Sequence, residues 1–400
     1  MNNKLNKSFM IFKFLHFSNP TAEQTAVLKA MEDFVSAENQ YDFMVLCGAA
    51  GTGKTSITAA LIGYLNELGK PYKISAPTGR AARILGRKAK STTSTIHSMI
   101  YAPKADNETG KVTFKLKLGH NSTPTIYIID EAESYALNKE FLEKTFNLKG
   151  NSYLLTEVKR QEDGSYILEN ATDIRKAIDR GEKSHPIKGT QNRNIYAAAD
   201  KYAANVKKEG LENQVAIGVS HKANKFFNDL VRERIFGNAK KILEQGDLLM
   251  VTQNWYRNGI QLYNGDHVEL LSVDWNLQEQ VAGLHFVAVK IKVLFSETET
   301  IIEDYALLET ILSPGGVLDG KLENELRRQR YTKNRIFRDS NMPGDDRYVG
   351  ALRLTYGHAI TCNKAQGGEW KKVFVNTMGI PSLKWQYTAV TRGINEIEKF

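Results

Sequence analysis

The sequence predicts an α/β protein: two parallel sheets flanked by helices, with a smaller β-rich insertion in the second. Three observations predict this. Short apolar β-rich runs alternate with helical patterns through two separate regions. Within the second region the periodicity changes to alternating strands and then to a basic helical stretch. Four hundred residues, 42% of them hydrophobic and 25% charged, suffice for two buried cores and a smaller third body.

Taken in order, the N-terminal FMIFKFLHF is apolar, but Lys13 and His16 interrupt it and no small-residue cleavage pattern follows, so it reads as part of the first domain. VLCGAA is a strand. SITAALIGYLNELG is a helix with Ile57, Leu61, Tyr64, Leu65 and Leu68 on one face, and YKISAPT and TIYIIDE are further strands. A Gly-bearing turn at Asn107–Gly110 between polar strands marks a small insertion over about 101–123. The second region is split between QVAIGVS with a helix from Ala223 to Ile235, and LRLTYGHAI through KKVFVNT to the C-terminus. Between these pieces lie HVELLSVDW, HFVAVKIKVLF and KLENELRRQRYTKNRIF, which read as an inserted domain. The expected division is therefore 1–165, 166–250 with 348–400, and the insert 251–347.

A net charge of +9 favours a polyanionic partner, although such an excess is often only a solvated basic face. Cys47 and Cys362 stand far apart without metal-binding spacing, which excludes a disulfide framework or zinc site and fits a reducing, cytoplasmic compartment. No run approaches the roughly 20 apolar residues of a membrane span.

GAAGTGKTS, Gly48 to Ser56, matches GxxxxGK[ST] between an apolar strand and an amphipathic helix. Backbone N–H groups around Gly48, Gly51, Gly53 and Ser56 can surround phosphates. Lys54 then falls on the β and γ groups of ATP, and Thr55 on Mg²⁺. IYIIDE supplies the other half, delivering Asp130 to the metal and Glu131 as the base that orients an attacking water. NTP hydrolysis is the leading reaction class.

Thr21-Ala22-Glu23-Gln24, GAAGTGKTS, SAPTGRAARIL, STIHSMI, IYIIDEA, LTEVKRQ, TYGHAITCNKAQGGEW and YTAVTRG occur in the order of the motifs of superfamily 1 helicases. Over nearly its whole length the chain resembles their RecD-like and Dda-like branch, which travels 5′ to 3′ on single-stranded DNA. The resemblance implies two RecA-like P-loop NTPase domains, the second carrying a small SH3-like insertion. It implies that Gln24 reads the adenine edge; the alternative is an exposed polar residue in a first helical turn. Thr78, Arg80, Thr95 and His97 would touch the DNA backbone, the alternatives being a helix cap at Thr78 and a satisfied structural histidine at 97. Arg160 and Arg392 would reach the γ-phosphate as arginine fingers. Thr361, Lys364, Gln366 and Gly367 match the motif that links the DNA and nucleotide sites, Thr361 and Lys364 on the DNA side. In the insert, Trp255, Tyr256, Arg257 and Tyr263 can stack on bases or fill a core. The run Arg327, Arg328, Arg330, Lys333, Arg335, Arg338 is a solvated helix face or a strand-tracking surface.

The chain departs from that family inside the first domain, and it also stops at Phe400, soon after YTAVTRG, where members commonly add a further strand. Members carry, after the DEA strand, another apolar strand ending in GD-x-x-Q, whose Gln senses the γ-phosphate. Here Asp130-Glu131-Ala132 runs directly into ESYALNKEFLEKTF. Gln245-Gly246-Asp247 does not replace the motif, because it begins the strand that enters the insert. The missing strand would lie between the P-loop strand and the Asp130 strand, where neighbours sit about 4.8 Å apart. Its loss predicts either a gap with unpaired backbone groups or a sheet re-closed by SYLLTEV, which would carry Arg160 with it. The functional expectation is a monomeric ATP-dependent helicase or translocase on single-stranded DNA. The alternative is a DNA-binding remnant that holds ATP but is deficient in hydrolysis or coupling.

Overall fold

The computed structural model describes residues 10–36, 40–48, 51–105, 112–117, 124–130, 138–157, 166–237, 241–295 and 299–400. Glu131, Arg160 and the Ala132–Glu133 junction lie outside the described residues. The chain divides into two compact units, residues 1–101 with 116–163 and residues 102–115 with 164–400. Among the described residues no helix is long and apolar enough to cross a membrane.

In chain order the first part contains α1 (Ala22–Val35), β1 (Phe43–Gly48), α2 (Lys54–Glu67), β2 (Tyr72–Ala76), α3 (Gly79–Ala89), β3 (Ser94–Thr95) and α4 (Ile96–Ile100). The paired strands β4 (Tyr101–Ala105) and β5 (Val112–Leu116), then β6 (Ile126–Ile129), α5 (Lys139–Phe146) and β7 (Gly150–Leu155), follow. A capping box starts α1: the Thr21 hydroxyl accepts from Gln24 N, and the Gln24 side chain accepts from Thr21 N. Buried Val27, Leu28, Met31 and Val35 then repeat at helical spacing. On α2, Ile57, Tyr64 and Leu65 are buried as the pattern predicts, whereas Leu68 is exposed because the helix ends at Glu67.

The parallel strands of this unit form two separate sheets, β1–β7 and β3–β2–β6. Among the described residues no ladder joins these two sheets. SYLLTEV does not re-close the sheet, since β7 pairs with β1 and not with β6.

The second part contains α6 (Tyr166–Asp179), β8 (Thr190–Gln191), α7 (Ile195–Glu209), β9 (Gln214–Gly218), α8 (His221–Phe236) and β10 (Leu248–Val251). The insert brings β11 (Trp255–Arg257), β12 (Ile260–Leu262), β13 (His267–Val281), β14 (Leu284–Val293), β15 (Ile301–Leu307), α9 (Leu308–Leu312), α10 (Gly320–Lys333) and α11 (Arg335–Ser340). The chain ends with β16 (Leu354–Tyr356), β17 (Ala359–Thr361), α12 (Cys362–Ala365), β18 (Trp370–Val375), α13 (Leu383–Val390) and β19 (Gly393–Lys399).

Here one continuous parallel sheet runs β17–β9–β18–β19–β8. One core includes Ile174, Val215, Val373 and Val390, and another includes Tyr202, Ala216, Phe227 and Phe374, so helices cover both sides. The insert forms an antiparallel sheet, β15–β14–β13–β10–β16. LRLTYGHAI therefore divides between two sheets. The change falls at Gly357, where a Cβ would lie 3.1 Å from both the Leu249 carbonyl carbon and the His267 ring.

Candidate nucleotide-binding site

The described part of the loop after β1 is shaped by its glycines. Gly51 and Gly53 have φ of 83° and 89°, the left-handed region that glycine enters without a side-chain penalty. A Cβ on Gly48 would stand 2.8 Å from the Thr52 hydroxyl and 2.9 Å from Leu155, so this position tolerates only glycine. Gly53 precedes α2 without a side-chain cap, as at helix ends that receive anions. Lys54 Nζ donates to the Gly48 carbonyl at 2.5 Å, folding the ammonium over the loop. Thr55 and Ser56 occupy the first turn of α2, half-buried.

Gln24 is buried against this loop. Its Oε1 accepts from Thr21 N at 3.0 Å and its Nε2 donates to the Thr52 carbonyl at 2.9 Å. The exposed first-turn alternative is thereby excluded, and one function of Gln24 is to brace the loop. Glu23 adds a link that the sequence does not reveal. Its carboxylate accepts from Thr156 N at 2.7 Å and from the Thr156 hydroxyl at 2.5 Å, tying α1 to the end of β7. The Thr156 hydroxyl, then its N–H, hold the Glu23 pKa below the usual carboxylate range.

Asp130 follows β6 immediately, with its N–H donated to the Ser75 carbonyl at 3.0 Å. Among the described residues no group of three or more His, Cys, Asp or Glu could hold a metal. Mg²⁺ does not need one, because a hydroxyl such as that of Thr55, one carboxylate such as that of Asp130, and nucleotide phosphates form its usual oxygen set. With the glycine cradle and the uncapped helix, the residues present fit a magnesium nucleotide.

Of the proposed DNA contacts, the Thr78 hydroxyl accepts from Ala81 N at 3.2 Å, the helix-cap role, and Arg80 lies in the first turn of α3. Thr95 caps α4, accepting from Ser98 N at 3.1 Å. His97 is exposed and tilts against the Tyr101 ring at 4.9 Å, so it is not a buried structural histidine.

In the second unit Thr361 ends β17, and Lys364 on α12 donates to Asn264 Oδ1 of the insert; burial pulls the lysine pKa down. Gln366 follows α12, and Gly367 has φ 74°. Arg392 lies beside this turn: Nε donates to Thr388 O at 3.1 Å, Nη1 to Gly368 O at 3.4 Å and Nη2 to the Thr391 hydroxyl at 3.2 Å. Among the described residues no carboxylate pairs with Arg392. The fold therefore brings Gln366, Gly367 and Arg392 into one neighbourhood.

Trp255 is core, its indole N–H donated at 2.7 Å to buried Asp304, which also pairs with Arg257. Burial raises the Asp304 pKa more than Arg257 lowers it. The Tyr263 hydroxyl donates to Gln261 at 3.1 Å, while Tyr256 is exposed. The basic run is largely paired: Arg327 with Glu323, Arg328 with Glu325, Arg330 with Asp346, and Arg335 and Arg338 with Asp339. Lys333 alone of the run has no such pair among the described residues.

Comparison with known proteins gives two family matches, an AAA domain over residues 21–141 and a UvrD-like helicase C-terminal domain over residues 356–394. The chain is 42% identical over 62 residues to the ATP-dependent RecD2 DNA helicase of Deinococcus radiodurans. That stretch is 15% of this chain and only 9% of the relative. In fold it is similar to Bacteroides Pif1 bound to ssDNA, with TM-score 0.50 and 12% identity over 96% of this chain and 92% of that one. Pif1 helicase from Candida albicans gives TM-score 0.49 at 13% identity, over 96% and 95%.

Proposed function

From the premise that the matches support a superfamily 1 helicase of the RecD- and Pif1-like kind, we propose that this chain hydrolyses ATP to move, as a monomer, 5′ to 3′ on single-stranded DNA. The observation that carries the reading is the phosphate cradle: Gly48 with no room for a side chain, an uncapped α2, and Lys54 folded over the loop. In this reading Lys54 leaves the Gly48 carbonyl for the β- and γ-phosphates, and Thr55 and Asp130 hold Mg²⁺. Glu131 orients the attacking water, and Arg160 and Arg392 neutralise transition-state charge. Thr78, Arg80, Thr95, His97, Thr361 and Lys364 serve the DNA backbone.

The test is the ATPase rate with and without single-stranded DNA. DNA is expected to raise it at least about tenfold, and Lys54→Ala, Glu131→Gln and Arg392→Ala are each expected to lower the stimulated rate by about 100-fold or more, as loss of phosphoryl-transfer electrostatics does. The split sheet favours a second reading, a DNA-binding protein that holds ATP with weak coupling. Nucleotide binding without DNA-stimulated turnover would select it.

A further inference from the structure

The two halves of the candidate nucleotide site belong to different sheets. β1, which leads into Lys54 and Thr55, is laddered to β7; β6, which leads into Asp130, is laddered to β2. Among the described residues no ladder joins the two sheets. They nevertheless share one helical layer. Met44 and Leu46 of β1, Leu155 of β7, and Ile126 and Ile128 of β6 pack in one cluster with Leu28 of α1 and Ile57 and Leu65 of α2. Ile62, also on α2, packs with Ile74 of β2. The helix that begins at the phosphate loop therefore spans both sheets.

Apolar packing is non-directional and resists sliding or tilting less than a hydrogen-bonded ladder does. We propose that β1–β7, carrying the phosphate loop and α2 with it, and β3–β2–β6 move as two bodies, and that a magnesium nucleotide gripped by Lys54 and Thr55 at the start of α2 and by Asp130 after β6 locks them together. The lock rests on the nucleotide-binding reading above; the division into two bodies does not.

Native-state hydrogen exchange on the full chain, followed at peptides covering β1, β7, β2 and β6 across a urea series, tests both parts. Without nucleotide, β1 and β7 are expected to follow one opening isotherm and β2 and β6 another, with rates differing by about tenfold or more. A single isotherm for all four strands overturns the division, whatever nucleotide does. Adding Mg-ADP is expected to slow exchange in all four strands and merge the isotherms. Asp130→Asn should keep the protection of β1 and lose that of β6, and Thr55→Ala, which leaves the end of β6 unaltered, should likewise lose the protection of β6. Mg-ADP that protects β1 and α2 alone in the unsubstituted chain overturns the lock while leaving nucleotide binding intact. No binding in a fluorescent-nucleotide titration overturns the lock together with the reading beneath it, and leaves the two-isotherm result standing on its own.

Discussion

The parallel sheets of the two units differ in continuity, and burial follows that difference. In the second unit β9 is buried at every position and sits between β17 and β18, as a central parallel strand should. In the first, β1 and β6 are half-buried along most of their length, and among the described residues each is laddered on one edge only. An apolar run such as MVLC or IYII makes a strand, but only a neighbour on each edge makes it a core strand.

The contrast is sharpest in what a side chain is worth. Phe374→Ala, in the continuous sheet and fully buried, is expected to cost the second unit about 3–5 kcal/mol, read as a fall in its urea midpoint. A loss below about 1 kcal/mol would mean that this sheet is no better packed than its counterpart.

The second unit should also be the acid-sensitive one. His358 is fully buried beside the Tyr202 ring at 5.6 Å, and among the described residues neither ring nitrogen has a partner. Burial, reinforced by Arg232, pulls its pKa from 6.5 to about 3. The unfolded chain takes up a proton near pH 6.5 while the folded chain does not, so this contribution is complete above that pH and declines as pH falls towards 3. Going from pH 7 to pH 5 should cost about 2 kcal/mol. His358→Phe should flatten the profile, and an unchanged slope in that variant would remove His358 as the cause.

Leu46→Ala in β1 should cost only about 1 kcal/mol, since the side chain is half-buried to begin with. A loss equal to that of Phe374→Ala would show the first sheet closed in solution. Glu23→Gln should have the smallest effect, a slight lowering of the first unit's midpoint near neutral pH. Because its carboxyl pKa is lowered in the fold, the link is present above the ordinary carboxylate range and lost as pH falls through the lowered value, so the variant and parent should converge in acid. Divergence that grows in acid would exclude this hydrogen bond as the origin.

Much of the site was legible because it is local. Gly48 to Ser56 constrains its own backbone, and Thr21 with Gln24 forms a capping box within one helical turn. The acidic partners of Arg327, Arg328 and Arg335 also stand three or four residues away, within reach of sequence reasoning. Other features carried no local signal. Glu23 meets Thr156 across 133 residues, Lys364 meets Asn264 across 100, and the polar GINEIEK is a strand, β19, because β18 and β8 flank it.

By itself the sequence determined the α/β class, the phosphate loop and the acidic end of β6, since spacing, turn chemistry and periodicity act over a few residues. Only the tertiary structure decided how the strands pair, because pairing is a choice among distant edges: β7 lies beside β1, β6 lies beside β2, and among the described residues no ladder joins the two pairs.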